Sequence, residues 1–351
     1  MAPSSVTSQY DALLSTTLNN YRRTLEDNIS KNNSVIWHLR NKVDGGYELV
    51  SEIGDRMQVP LMYELGQADS YSGYDVLDVT PMEGITSAFW DWRQASVPIA
   101  ISALEEKKNR GEARILSLLE SKTKQAEMGI QEFFNQRLLI GAGASSITTA
   151  YTSTVNGSSF IDPLPKLVAY DPTASVSVGN INQLTYTWWR NRTANSTGST
   201  YAAFLRELRV LRMQCKRGPG GAPDLHIVDE NVYTLYETAL AASHRNPSYQ
   251  KADIPFENIA FYGKPVVSDE YVPDAQGGSA TQSTTSGTWY MLNMQFMKVK
   301  VDKETNFSTS DFRKPENQDA KVAHILWLGG IGTSNRRKHG VAGGIDTTLS
   351  S

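Results

Sequence analysis

Cysteine is nearly absent. The chain of 351 residues has one, Cys215, which excludes an intrachain disulfide framework and a four-thiolate metal site and fits a cytosolic-type redox setting. Long apolar runs are missing too: nothing approaches the roughly 20 apolar residues that span a bilayer. The opening stretch MAPSSVTSQYDALLSTTLNNYRR has no basic segment followed by an apolar one, so no secretory leader and no membrane partner are expected. Nor is there a surplus of charge. The 34 Lys and Arg face 37 Asp and Glu, a net charge of -3, which gives no broad basic footprint for gripping nucleic acid.

Motifs for chemistry are equally scarce. Five histidines are scattered without the i, i+4 spacing that sets two ligands on one helix face; His226 and His324 read as strand residues and the others as surface ones. Cys215 has no nucleophile motif around it and reads as a buried thiol. The stretch GGIGTSNRRKHG lacks the Gly-x-x-x-x-Gly-Lys-Ser/Thr pattern of a phosphate cradle. Its Arg336, Arg337 and Lys338 are left between solvation and contact with an acidic neighbour or nucleic acid. Asp229 and Glu230 form an acid pair, but carboxylates there suit the start of a helix after LHIV. No catalytic, cofactor or metal site is expected.

What the sequence does have is order among its parts. Hydrophobic content of 40% is enough for a sizeable core. Residues 1–45 are polar and read as an arm. From 46 to 101 the pattern is extended: GDRMQVPLMYEL, a turn-rich middle, then GITSAFWDWRQASVPIAIS with Phe89, Trp90 and Trp92 close together. Ser102 and Glu105 have capping-box spacing ahead of a helical run to about Ile140. Ile115, Leu118, Leu119, Ala126, Ile130, Phe133, Phe134 and Leu138 lie roughly on one stripe of that run. Helices at about Thr200 to Cys215 and Glu230 to Ser243 then alternate with strands, an α+β pattern. The passage HILWLGGIGTSNRRKHGVAGGI reads as a strand entering a glycine-rich loop and a short strand.

A two-stranded projection is marginal alone in water. Burying each of its three aromatics contributes about 1.5–3 kcal/mol if something covers them, and the economical cover is an identical subunit. This order of parts, with the passages LTYTWWRNR (Leu184 to Arg192) and His324 to Gly344, resembles the major capsid protein of tailed double-stranded-DNA bacteriophages, whose fold is shared with the floor domain of herpesvirus capsid proteins.

The resemblance implies an arm over 1–45, an extended loop with flanking strands over 46–101, and a peripheral domain over 102–186 with a spine helix 102–140. An axial domain over 187–302 follows, and 303–351 returns to the peripheral domain. It implies hexamers and pentamers tiling an icosahedral shell around packaged DNA, in the virion after a stay in the host cytoplasm. Arg56, Tyr63, Phe89, Trp90 and Trp92 are the expected inter-subunit contacts, and Arg22, Arg23 and Lys31 possible basic contacts on the inner face. No lysine occurs between Lys42 and Lys107, so a covalent crosslink through a loop lysine, found in some members, is chemically excluded and the shell is expected to be noncovalent. A separate scaffolding protein and a portal are the implied partners, with a decoration protein as an optional one. Two other readings compete: an enzyme with its catalytic domain at 187–302, and a phage tail or receptor-binding protein.

Overall fold

The computed structural model describes residues 46–51, 54–66, 68–76, 83–108, 118–140, 154–155, 158–195, 200–242, 259–273 and 286–349. The expected arm, with Arg22, Arg23 and Lys31, lies outside them.

The strands run in order β1 (Tyr47–Val50), β2 (Arg56–Met62), β3 (Ile85–Asp91), β4 (Arg93–Ser102), β5 (Thr154–Val155), β6 (Ser158–Ser159), β7 (Ser177–Val178), β8 (Ile181–Asn182), β9 (Arg192–Asn195), β10 (Leu225–Val228), β11 (Ile259–Phe261), β12 (Lys264–Ser268), β13 (Ser286–Leu292), β14 (Met297–Thr309), β15 (Ala320–Thr333) and β16 (Gly340–Asp346). Among them lie helices α1 (Ala103–Lys108), α2 (Leu118–Leu139), α3 (Leu164–Leu167), α4 (Tyr201–Lys216) and α5 (Glu230–Ala242), with single 3-10 turns at Thr187–Trp189 and Arg336–Lys338. The expected helices are present at both later positions, each within about a residue of its expected start.

Two sheets organise these elements. One has four strands in the order β1-β14-β15-β4; the other has six in the order β11-β12-β10-β13-β16-β9. Strand alternation explains how the six-stranded sheet is buried on both sides. Leu225, Ile227, Tyr290, Leu292 and Val341 point into a core shared with α2 and the four-stranded sheet. Their strand neighbours Val228, Trp289, Met291 and Ala342 point into a second core closed by Phe204, Leu208 and Leu211 of α4 and Val232 of α5. That is why every residue of LHIV and TWYML is buried, with apolar side chains on both faces.

The stretch TWYMLNMQFMKVKVD holds two strands in different sheets. Asn293–Phe296 turns the chain between β13 and β14, with the Phe296 N–H donating to the Asn293 carbonyl at 3.1 Å. β16 belongs to the six-stranded sheet, paired with β13 and β9. The tail of the chain therefore visits both sheets.

The start of the helical run follows the capping-box logic. Ser102 N–H donates to Glu105 Oε2 and Glu105 N–H donates to Ser102 Oγ, each at 3.2 Å, which satisfies two orphan donors at the start of α1. Residues 109–117 lie outside the described residues, so the spine is described as α1 and α2. At about 1.5 Å per residue, the 22 residues of α2 extend about 33 Å. Ala126, Ile130, Phe134 and Leu138 lay the expected stripe into the shared core, with Phe133 half-buried beside it. A buried polar tie joins α2 to the end of β12: Asn135 Nδ2 donates to Asp269 Oδ2 at 2.9 Å. Burial pushes the Asp269 carboxyl up to about 7.

Candidate assembly surface

β2 and β3 form an antiparallel hairpin in strict register from Arg56↔Asp91 to Met62↔Ile85. Period-2 alternation gives it one apolar face: Met57 and Leu61 from β2, Ala88 and Trp90 from β3. That face packs on Ile181 and Trp189, with Val59, Trp92 and Trp188 around the edge. Trp90 is 5% exposed. The expectation that a neighbouring subunit covers it is thus corrected, because the platform is in the same chain, about 100 residues later in the passage LTYTWWRNR.

Three glycines make the close approach possible. β7 and β8 are joined by Gly179 and Asn180, both in the left-handed region at φ 61° and 65°, the two-residue turn that matches strand twist. A Cβ on Gly179 would stand 2.9 Å from Trp90 Cζ2, and one on Gly332 would stand 3.0 Å from Trp90 Cδ2. A Cβ on Gly330 would stand 2.3 Å from Met57 Cε. The glycines of β15 therefore sit inside a strand that accepts the hairpin against its surface; they are not a loop, as the sequence suggested. The Phe89 N–H also donates to the Gly179 carbonyl at 3.0 Å.

The other expected contact residues are engaged at home to different degrees. Trp92 Nε1 donates to the Gly54 carbonyl at 2.9 Å. The Tyr63 ring stacks on Trp188 with centroids 5.5 Å apart. Arg56 reaches across to Asp91 at 3.2 Å, with both side chains about half exposed, a pair worth about 0.2–1 kcal/mol at most. Phe89 is half-buried and lines, with Arg56, Arg93 and Lys166, a cavity of about 320 Å³ beside the hairpin.

A second group fastens the platform. Arg336 is fully buried, so the expectation of an exposed or contact-making cation is overturned. Its Nε donates to the Leu167 carbonyl at 2.9 Å, Nη1 to the Trp189 carbonyl at 3.1 Å and Nη2 to Gln183 Oε1 at 2.9 Å. Lys338, also buried, donates from Nζ to the carbonyls of Arg217 and Gly218 at 3.0 Å, where the last carbonyls of α4 attract a cation. His339 is buried rather than on the surface: Nδ1 accepts from the Asn293 N–H at 3.2 Å and Nε2 lies 3.0 Å from Thr333 Oγ1. Burial, then the charge of Arg336, pushes its pKa down to about 3, which keeps it neutral.

The far end of the hairpin differs. Residues 62–66 and 68–76 are exposed throughout, including Met62, Leu65, Tyr71 and Val76, and Tyr74 is 104% exposed. Sequence reasoning passed over this tip in favour of the three clustered aromatics. The missed signal is compositional: between Arg56 and Arg93 stand six carboxylates (Glu64, Asp69, Asp75, Asp78, Glu83, Asp91) and no Lys or Arg.

The remaining chemical candidates resolve as structural groups. Asp229 precedes α5, its carboxylate accepting from the backbone of Glu230 and Asn231, and burial pushes it up to about 6. Cys215 is buried, and burial pushes its thiol up to about 12. His226 lies in β10, where its Nδ1 accepts from Trp289 Nε1 at 3.3 Å, and His324 lies in β15. Among the described residues there is no cluster of metal-binding side chains, and no helix is long and apolar enough to cross a membrane.

Neither a protein-family model nor a curated protein matches the sequence. Solved structures do match. The capsid subunit of Cyanophage A-1(L) superposes with a TM-score of 0.60 at 12% identity, covering 93% of this chain and 96% of that one. The capsid of Myoviridae phage XM1 gives 0.55 at 11% identity, covering 93% and 97%. An encapsulin from Synechococcus elongatus, solved as a holo complex, gives 0.59 at 9% identity, covering 100% and 99%. The chain thus has the α+β fold of tailed-phage major capsid proteins.

Proposed function

We propose that this chain is a major capsid protein, a structural subunit that assembles with copies of itself into an icosahedral shell around packaged double-stranded DNA. The single observation that carries the reading is the agreement of fold over 93% of this chain and 96% of the cyanophage capsid chain. In this reading α2 and the four-stranded sheet form the peripheral domain and the six-stranded sheet the axial domain, with hexamers and pentamers as capsomers. The shell is noncovalent, since the loop has no lysine to crosslink. Its inner surface holds DNA without gripping it, in keeping with a net charge of -3, because affinity for phosphates grows with the cations engaged. Arg22, Arg23 and Lys31 are the candidate basic contacts to that DNA or to acids of the spine. A scaffolding protein, a portal and a decoration protein complete the particle.

The base of the hairpin sets the projection in place within the subunit, and the tip reaches a neighbour. Large exposed side chains gathered on one projection mark an interaction surface rather than ordinary solvent-facing residues.

The encapsulin match over 100% of this chain and 99% of that one favours a second reading, a shell of encapsulin type assembled without phage DNA. Electron microscopy of the purified chain, alone and co-expressed with a candidate scaffold, tests both. Closed shells or ring-shaped capsomers support the shell reading, and DNA inside mature particles separates the first form from the second. A persistent compact monomer under both conditions would contradict both.

A further inference from the structure

Two exposed surfaces, the hairpin tip and the outer face of α4, carry opposite charge. The tip offers Tyr71, Tyr74 and Val76 beside Asp69 and Asp75, all exposed, in a segment with no cation. Its backbone is pre-shaped there: Ser72 N–H donates to Asp75 Oδ2 at 2.7 Å, and Asp75 N–H to the Ser72 carbonyl at 2.7 Å. That turn presents the two tyrosines on either side of Ser72 and Gly73. A docking partner therefore gains contact without first ordering this turn.

α4 supplies the complement. Its inner face is buried through Phe204, Leu208, Leu211 and Cys215. On its outer face Arg206, Arg209, Val210, Met213 and Lys216 are exposed, and Arg217 and Arg337 follow at its C-terminal end. Glu207 is the one carboxylate in the helix. Among the described residues, none of Arg206, Arg209, Lys216, Arg217 or Arg337 makes an ion pair. The cations crowd one another. The guanidinium of Arg192 is held below its usual range by burial first and then by Arg337, with Arg217 adding to it.

Between this helix and the edge strand β9 lies an open groove of about 160 Å³, bordered by Ala194, Ala203, Arg206, Glu207 and Val210. An aliphatic cavity of about 150 Å³ is known to take up a benzene ring, so the groove is the size for one aromatic side chain. The surface therefore combines cations with apolar side chains, Val210 at 47% and Met213 at 59% exposure. A phosphate backbone would use the cations and leave the apolar part uncovered, whereas an acidic segment bearing tyrosines uses both.

We propose that the tip Asp69–Val76 of one copy docks on the outer face of α4 in a second copy, with a tyrosine ring in the groove beside β9 and the flanking carboxylates against Arg206 and Arg209. The inference rests on the shell-subunit reading, and it names where on the neighbour the projection lands. The contact joins two different surfaces, so it is head-to-tail, the arrangement that closes into rings when the rotation allows. It is also salt-sensitive, since exposed charges are screened beyond about 8 Å at physiological ionic strength.

The test is a cross-link in the assembled full-length chain. In the double variant Tyr74→Cys with Val210→Cys, oxidation of particles is expected to give disulfide-linked multimers that return to monomer on reduction. Cys215 is buried and does not compete. The pair Tyr74→Cys with Lys314→Cys, the second residue exposed on a different part of the chain, is the control and stays monomeric. Independently, Arg206→Glu with Arg209→Glu is expected to lower the assembled fraction about tenfold by placing like charges together. Adding Asp69→Lys and Asp75→Lys restores assembly. Particles that form normally, give no Tyr74–Val210 link and tolerate the reversed arginines would overturn the docking while leaving the shell reading intact. Failure of the unsubstituted chain to assemble under any condition would overturn the shell reading and the docking with it.

Discussion

The base and the tip of the β2–β3 hairpin are built from similar side chains and behave oppositely. At the base, Met57, Leu61, Ala88 and Trp90 are covered by Ile181 and Trp189 of the same chain. At the tip, Met62, Leu65, Tyr71, Tyr74 and Val76 stay largely exposed among the described residues. Since a free hairpin is marginal in water, the buried base is what fixes the projection, and the tip is left to contribute its apolar area elsewhere. Apolar content alone thus does not tell which aromatic faces a partner. What decides it is whether another part of the same fold reaches that face.

The strongest way to break this comparison is Trp90→Ala. If the base is an internal core, truncation costs the isolated subunit about 3–5 kcal/mol, the range for a buried aromatic replaced by alanine. Thermal unfolding of unassembled protein measures it, and an unchanged midpoint would mean that the ring is covered by a neighbour after all. Next comes Arg336→Met, which removes the donor shared by the Leu167 and Trp189 carbonyls and Gln183 Oε1. Buried acceptors left without donors cost about 1–3 kcal/mol each, so a loss of about 3 kcal/mol in denaturant midpoint stability is expected, with the platform beneath the hairpin loosened. Gly179→Ala follows at about 1–2 kcal/mol, the cost of a left-handed backbone at a residue with a Cβ, together with the clash against Trp90. Gly73→Ala, at a site in the tip with nothing within 4 Å of the added Cβ, is the matched control. The smallest effect on the subunit is that of Tyr74→Ala. As an exposed residue it changes subunit stability by no more than about 0.5 kcal/mol, yet sedimentation should show less assembled material. A variant that unfolds the subunit without touching assembly would invert the comparison.

Local signals in the sequence carried much of the fold. Ser102 and Glu105 announced a helix start through residues three apart, and the structure shows both reciprocal bonds. The extended patterns GDRMQVPLMYEL and GITSAFWDWRQASVPIAIS announced strands, and the apolar stripe through Ala126, Ile130, Phe134 and Leu138 announced the face of α2. What stayed hidden depended on distance along the chain. Alternation says that Trp90 needs cover; it does not say that Trp189, 99 positions on, supplies it. Arg336 and Lys338 read as surface charges because cations usually are. Their burial depends on carbonyls contributed by Leu167, Trp189, Arg217 and Gly218, which no short motif records. Gly330 and Gly332 read as a loop for the same reason: the need for a bare backbone comes from Met57 and Trp90 pressing on β15. The charge bias of the tip was legible in composition, since it needs no knowledge of the fold.

The most direct test of the account is amide hydrogen exchange on the unassembled subunit and on purified particles, compared residue by residue along the hairpin. The account predicts that Met57 to Leu61 and Ala88 to Trp90 are protected in both, while 62–66 and 68–76 gain protection only in particles. Slow exchange at the tip already in the subunit, or a gain on assembly confined to the base, would contradict it.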